Sequence, residues 1–141
     1  MPAYTRVVVL LIVLSFTPVF SYAGDEESDP IDQKLEECIK KNFSTAGMNS
    51  CSNAAYEEWD KLLNDVYKKL LSKLAKDARE ALKNSQREWI KYRDAEFRFV
   101  NAYYDGFQGS VWTNLNHGDH VNLIRARALK LKSYLELMDM K

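Results

Sequence analysis

Three residues with polar or aromatic side chains share one face of a predicted helix. Gln86, Trp89 and Arg93 are separated by three and four residues, which places them side by side on an α-helix. An amide and a guanidinium on an otherwise apolar face need hydrogen-bond partners if they are buried. The face is therefore either a structural network or a polar groove that binds a ligand or a partner. In the network, the expected partners are Glu58, Asp60 or Glu96 for Arg93, and Asn64 or Tyr67 for Gln86.

A second candidate is the segment from Gly106 to Gly118, which is rich in glycine and asparagine and is predicted to be a loop. It carries Trp112 as an aromatic anchor, and Ser110 and His117 as polar groups. Aromatic anchors among adaptable polar residues are typical of the centre of a protein interface. The alternative is that Trp112 folds back on the helices and is part of the core.

Catalysis and metal binding find little support in the sequence. His117 and His120 flank Asp119 and supply two ligands at most, without the spacing of a helical zinc motif. Arginine and glutamine are poor general bases at neutral pH, and no Gly-x-Ser-x-Gly motif occurs. The abundant carboxylates on the predicted helices are typical of a solvated face. We therefore predict a protein that is not an enzyme and that has no metal and no cofactor.

The first 23 residues have the organisation of a secretory signal peptide. Arg6 precedes an apolar run over residues 7–20, and the small residues Ser21 and Ala23 occupy the −3 and −1 positions of a cleavage site after Ala23. The alternative is an uncleaved membrane anchor, which the short, proline-containing run disfavours. We expect a periplasmic or secreted bacterial protein that has no membrane segment after cleavage.

Cys38 and Cys51 are the two cysteines of the chain. In an oxidising compartment an even number of cysteines favours a disulfide bond, and a free or redox-active pair is the alternative. The formal net charge of the chain is zero, with both signs interspersed, so the sequence shows no basic surface for nucleic acid.

Apolar residues at spacings of three and four predict an all-α single domain of one short and three longer antiparallel helices, the first and second joined by the disulfide. The predicted organisation is a signal peptide at 1–23, a flexible terminus at 24–29 and a helical domain at 30–141. The predicted helices span about residues 30–42, 46–74, 77–104 and 120–138, with Asp119 as the cap of the last.

Five short sequence elements follow one another in an order that is informative as a set. They are Cys38 with Ser44-Thr45 and Met48-Asn49-Ser50-Cys51; Leu63-Asn64 with Tyr67; Gln86 to Glu96; Gly109-Ser110; and Arg127 with Leu131 and Tyr134. In this order they resemble the lysozyme-inhibitor LprI-like N-terminal domain family over about residues 31–134. The resemblance implies an exported bacterial helical protein, and it raises lysozyme inhibition as an activity.

The chain departs from this family at one place. Members often carry a second cysteine pair, with one cysteine directly after the Ala-Glu element and one before the last helix. Here Phe97 follows Glu96, and residues near Asp119 hold the later position. The joint absence of both cysteines predicts that side-chain packing replaces the second disulfide, and that the loop at 106–118 is less restrained.

Two functional hypotheses follow from these observations. In the first, the protein is an exported non-enzymatic binding protein that inhibits a lysozyme, with the loop at 106–118 or the adjoining helix ends occluding the lysozyme cleft and its two catalytic carboxylates. In the second, it is a small envelope accessory or stress protein whose face of Gln86, Trp89 and Arg93 binds another envelope component.

Overall fold

A computed structural model describes residues 28–140 of the 141-residue chain. The predicted signal peptide and residues 24–27 of the predicted flexible terminus lie outside the described residues. The described part is built from four helices: α1 (Pro30–Lys41), α2 (Thr45–Lys73), α3 (Lys76–Asp105) and α4 (Val111–Asp139). The prediction of an all-α fold with one short and three longer helices is confirmed. None of the helices between residues 28 and 140 is long and apolar enough to cross a membrane.

The first two helices begin at side chains that cap them. The carboxylate of Asp29 accepts a hydrogen bond from the backbone N–H of Ile31 at 3.0 Å. The hydroxyl of Ser44 accepts one from the backbone N–H of Gly47, also at 3.0 Å. A Cβ atom on Gly47 would lie 2.9 Å from the Cβ of Asn42, so the tight turn between α1 and α2 requires glycine at this position.

The central element of the fold is the pair formed by α2 and α4, which pack together more extensively than any other two helices. Three side-chain contacts advance in the same direction along both helices, so α2 and α4 run parallel. They join Met48 to Asn114, Asn53 to His117, and Lys73 to Asp139. Helices that follow one another in the chain run antiparallel, as predicted.

The hydrophobic core lies between these two helices. Its largest fully buried side chains are Trp59, Leu63 and Leu70 of α2 and Ile124 and Leu131 of α4. Helix α1 contributes no buried residue, and α3 contributes only Gln86 and Val100. Both helices also pack partly buried apolar side chains against this core. Because burial of apolar surface is the main stabilising term in folding and theirs is incomplete, specific contacts contribute to their attachment. The packed side chains are Ile31 and Leu35 of α1 and Leu82, Trp89 and Phe97 of α3.

Helix α1 is attached by a disulfide bond and by ion pairs. Cys38 and Cys51 are bonded, with their Cα atoms 5.7 Å apart, which confirms the predicted link between α1 and α2. Three ion pairs add to it: Asp32 with Arg125 at 2.7 Å, Lys34 with Glu58 at 2.7 Å, and Asp29 with Lys132 at 3.4 Å. Helix α1 is thereby linked to both central helices.

The prediction that residues 106–118 form a loop is wrong, because α4 begins at Val111 and only residues 106–110 connect α3 to α4. Asp119 lies within α4 rather than at its cap. Gly118 in the helix costs about 1 kcal/mol relative to alanine. Tertiary contacts offset this cost, since Asn114 and His117 in the first turns of α4 bond to side chains of α2.

Candidate functional site

The interface between α3 and α4 contains the face formed by Gln86, Trp89 and Arg93. Gln86 is buried, and its side-chain oxygen accepts a hydrogen bond from Nε of Arg127 at 3.0 Å. The ring of Trp89 lies between two guanidinium groups, with Cζ of Arg93 and of Arg127 at 5.6 and 5.7 Å from its centroid. Arg93 also forms an ion pair with Asp94 at 2.6 Å. The polar groups of this face are thus used within the fold.

The partners that the sequence suggested for this face are not the ones in the structure. Arg93 pairs with its neighbour Asp94, and not with Glu58, Asp60 or Glu96; Gln86 bonds to Arg127, and not to Asn64 or Tyr67. For the expected partners on α2, the reason is that α3 packs chiefly against α4 and has few contacts with α2. Burial lowers the pKa of the Arg127 guanidinium below its ordinary value. The group remains charged at neutral pH.

The other candidate residues lie at the end of the hairpin formed by α3 and α4. Five aromatic rings touch in sequence there, and we call them the aromatic ladder: Phe99, Tyr103, Tyr104, Phe107 and Trp112. Neighbouring ring centroids are 4.5 to 6.2 Å apart. Much of the ladder faces solvent, since Phe99 is 60% exposed, Tyr103 52% and Phe107 40%. Exposed aromatic surface of this kind is characteristic of binding sites.

The tip of the hairpin holds Trp112 in a defined position. Its ring stacks on Phe107 with centroids 4.5 Å apart, and its Nε1 donates a hydrogen bond to the carbonyl oxygen of Gln108 at 3.0 Å. Gly109 has a φ of 112°, a conformation that other residues rarely adopt. Ser110 is exposed at the start of α4, and its hydroxyl makes no capping bond to the helix. Trp112 is therefore a half-buried support of the ladder.

His117 lies one helical turn further along α4 and faces α2. Its Nδ1 is 2.9 Å from the side-chain oxygen of Asn53. Nearby, His120 stacks on Phe97 with ring centroids 4.0 Å apart. Both histidines line a small cavity with Tyr56 of α2. The structure thus separates His117 from Ser110 and Trp112, with which the sequence had grouped it.

The most exposed rings of the ladder, Phe99 and Tyr103, are not among the residues predicted from the sequence. The signal was present, because Phe99 and Tyr103 are four residues apart and form a stripe on α3, which Phe107 continues at the same spacing just beyond the end of the helix. This stripe lies beside the one that contains Val100, which does face the core. The sequence identifies Arg127 only as part of a family element, because its hydrogen bond to Gln86 depends on which helix packs against α3.

Comparisons with known proteins agree with this fold. A family model described as "Lysozyme inhibitor LprI" matches residues 38–131. An uncharacterized protein of Rhizobium meliloti (strain 1021) is 31% identical over 117 residues, which cover 74% of this chain and 83% of the relative. The crystal structure of an uncharacterized protein from Burkholderia thailandensis is similar, with a TM-score of 0.71 at 30% sequence identity. That likeness covers 75% of this chain and 53% of the other, so this chain spans about half the length of the solved relative.

The family match begins at Cys38 of the disulfide and ends at Leu131 in the core. The matched range includes the network around Trp89, the hairpin tip and the aromatic ladder. The resemblance found in the sequence is thereby confirmed, and the chain belongs to the lysozyme inhibitor LprI family.

Proposed function

We propose that this protein is an exported, non-enzymatic binding protein that inhibits a lysozyme through the end of the α3–α4 hairpin. Membership of the LprI family supports the activity. The observation that carries the choice of surface is the aromatic ladder, in which Phe99 and Tyr103 are more than half exposed although they are large and apolar. The disulfide between Cys38 and Cys51 supports export to an oxidising compartment.

The shape of the hairpin end suits occlusion of an enzyme cleft. A lysozyme cleft contains two catalytic carboxylates, which accept hydrogen bonds. Covering these carboxylates with apolar groups alone is unfavourable, because it would leave them without hydrogen-bond partners. The tip offers the exposed hydroxyl of Ser110 as a donor, and the ladder offers rigid rings that lose little conformational entropy on binding. Trp112 and Gly109 fix the tip, so the surface is organised before the partner arrives.

This arrangement argues against the hypothesis of an envelope accessory protein, because the proposed docking face of Gln86, Trp89 and Arg93 is used within the fold. Gln86 is buried against Arg127, and Arg93 is paired with Asp94. An envelope component that bound there would have to break these contacts, with an unfavourable loss of buried hydrogen bonds. We therefore favour the hairpin end as the binding surface.

The test is lysis of a peptidoglycan suspension by chicken-type, goose-type and invertebrate-type lysozymes in the presence of the mature, oxidised protein. We expect dose-dependent inhibition of at least one of these enzymes. Tyr103→Ala should weaken that inhibition while thermal stability is retained. The matched control is Phe43→Ala, which removes an 81% exposed ring from the connection between α1 and α2.

Two results would contradict the proposal. Full activity of all three enzymes at molar excess of the protein would remove the inhibitor function. Equal inhibition by Tyr103→Ala, Phe43→Ala and the wild type would instead show that the binding surface lies elsewhere.

A further inference from the structure

A groove runs between α3 and α4 directly beside the aromatic ladder. It has a volume of about 460 Å³ and is open to solvent. Six of the side chains that line it are Tyr92, Glu96, Phe99 and Tyr103 of α3, and Asp119 and Asn122 of α4. A volume of this size is within the range of about 300–1,000 Å³ that is typical of ligand clefts.

The groove combines ring surface with negative charge. Tyr92, Phe99 and Tyr103 are each more than half exposed, so their rings are accessible to a partner. Glu96 and Asp119 contribute a carboxylate from each wall, and none of the lining residues that the structure describes is lysine, arginine or histidine. The groove differs in this respect from the interface at Trp89, where two guanidinium groups of the chain itself lie over the ring.

The carboxylate of Asp119 is held in place by a hydrogen bond from another residue that lines the groove. It accepts a hydrogen bond from the hydroxyl of Tyr104 at 2.8 Å. This bond raises the pKa of Tyr104 above its ordinary value of 10.0, so the phenol remains a neutral donor. A carboxylate has acceptor capacity for several donors, and the bond from Tyr104 leaves sites for a donor from a partner. The position of the charge is therefore fixed before binding.

We propose that this groove receives a lysine or arginine side chain of the partner protein, held by Glu96, Asp119 and the rings between them. The inference rests on the proposed function, because it names the chemistry with which the hairpin end would recognise its target. A cation gains from the faces of aromatic rings and from an opposite charge at short range, and both are present here. The charge complementarity excludes an anionic occupant, since phosphate or carboxylate would meet two negative groups.

The test uses the mature, oxidised protein and measures its dissociation constant for whichever lysozyme is inhibited, by calorimetry at low and at high salt. Glu96→Gln and Asp119→Asn each remove one groove charge with little change of shape. We expect each to weaken binding by about tenfold, and the double variant to lose most of the salt dependence. The control is Glu57→Gln, which removes an exposed carboxylate from α2.

A second arm uses an acetylated tetra-arginine peptide as the probe, with tetra-glutamate as the control. Amide chemical shifts of the isotope-labelled protein report where each peptide binds. We expect shifts at Glu96, Tyr103 and Asp119 with the arginine peptide and none with the glutamate peptide. Thermal unfolding of every variant establishes that the fold is retained.

The outcomes separate the two proposals. Inhibition that Glu96→Gln and Asp119→Asn leave equal to Glu57→Gln would overturn the groove and leave the inhibitor function standing. Absence of inhibition together with peptide shifts in the groove would overturn the inhibitor function and retain the basic ligand. Absence of both would overturn both. A dimer in solution that the Phe99→Ala variant abolishes would show that a second copy of the chain, and not a basic partner, covers the groove.

Discussion

The ring of Phe97 on α3 stacks on the imidazole of His120 on α4, with centroids 4.0 Å apart and the planes inclined by 22°. Tyr56 of α2 approaches the same phenylalanine at 6.3 Å, so three helices meet at one ring. According to the family resemblance, Phe97 and the residues near Asp119 hold the positions at which a second cysteine pair would be expected. That side-chain packing replaces a second disulfide stays a prediction, and this stack is the packing that would provide the replacement.

Replacing Phe97 with alanine should lower the free energy of unfolding by about 2 kcal/mol, because it removes the contact among α2, α3 and α4. Phe99→Ala is the matched control, since Phe99 lies on the same helix but is 60% exposed. Urea denaturation of both variants measures the difference. Equal stability of the two would show that the Phe97 stack contributes nothing to the packing of α3.

Gln86→Ala should also destabilise the protein, by about 1–3 kcal/mol, because it leaves Nε of the half-buried Arg127 without its acceptor and, among the described residues, only the Ser85 hydroxyl bonded to the guanidinium, at 3.2 Å. The loss should be local, so amide exchange should accelerate in α3 before it does in α2. Gln108→Ala, an exposed change at the hairpin tip, serves as the control. Uniform acceleration along all four helices would contradict an attachment role for this network.

The disulfide should matter most for α1, which contributes no buried residue to the core. Cys38→Ser with Cys51→Ser opens a loop of about 14 residues and should cost about 3 kcal/mol in the loop-entropy account. We expect α1 to lose amide protection while α2 and α4 keep theirs. Reduction of the wild type with a thiol reagent should reproduce the effect, and unchanged protection of α1 would refute it.

Much of this fold was predictable from local signals, and the errors have a common physical cause. Asp29 and Ser44 marked helix starts correctly, because a capping side chain acts on backbone groups two or three residues away. The start of α4 was misplaced because it depends on contacts between Asn114 or His117 and α2, far away in the sequence. Local propensity cannot include such contacts.

The candidate site was predicted less well than the fold, for a related reason. The sequence predicts that the Gln86 face is polar, yet it does not identify Arg127 as the partner, because that depends on α3 packing against α4 rather than α2. The sequence likewise does not predict that Phe99 and Tyr103 are exposed to solvent. A stripe of aromatic residues on a helix is the same in sequence whether it faces a core or solvent.

Two glycines near the hairpin tip should respond to alanine with opposite signs. Gly109 has a φ of 112°, so Gly109→Ala should destabilise the protein by about 1–2 kcal/mol through backbone strain. Gly118 lies within α4, and an added methyl group would meet no atom within 4 Å, so Gly118→Ala should stabilise the protein by about 0.5–1 kcal/mol. Thermal unfolding compares the pair, and shifts of the same sign would contradict the assigned conformations.

Acidification should loosen the stack between Phe97 and His120. Burial lowers the pKa of His120 below its ordinary value of 6.5, and the charge of His117 lowers it further, while Asp119 opposes the shift. Its Nε2 is buried without a hydrogen-bond partner among residues 28–140, so a proton there would be poorly solvated. The folded state therefore favours the neutral ring.

Because the pKa is lower in the folded than in the unfolded protein, the stabilisation from neutral His120 is present above about pH 6.5 and is lost as the pH falls through the folded-state pKa. His120→Phe keeps a ring on Phe97 but cannot titrate, so the wild type should lose stability relative to this variant between about pH 7.5 and pH 5. Asp119→Asn removes the opposing charge, lowers the pKa of His120 further and should deepen the loss. Urea midpoints across this range measure all three proteins. Parallel curves for the wild type and His120→Phe would show that His120 does not couple protonation to the packing of α3 on α4.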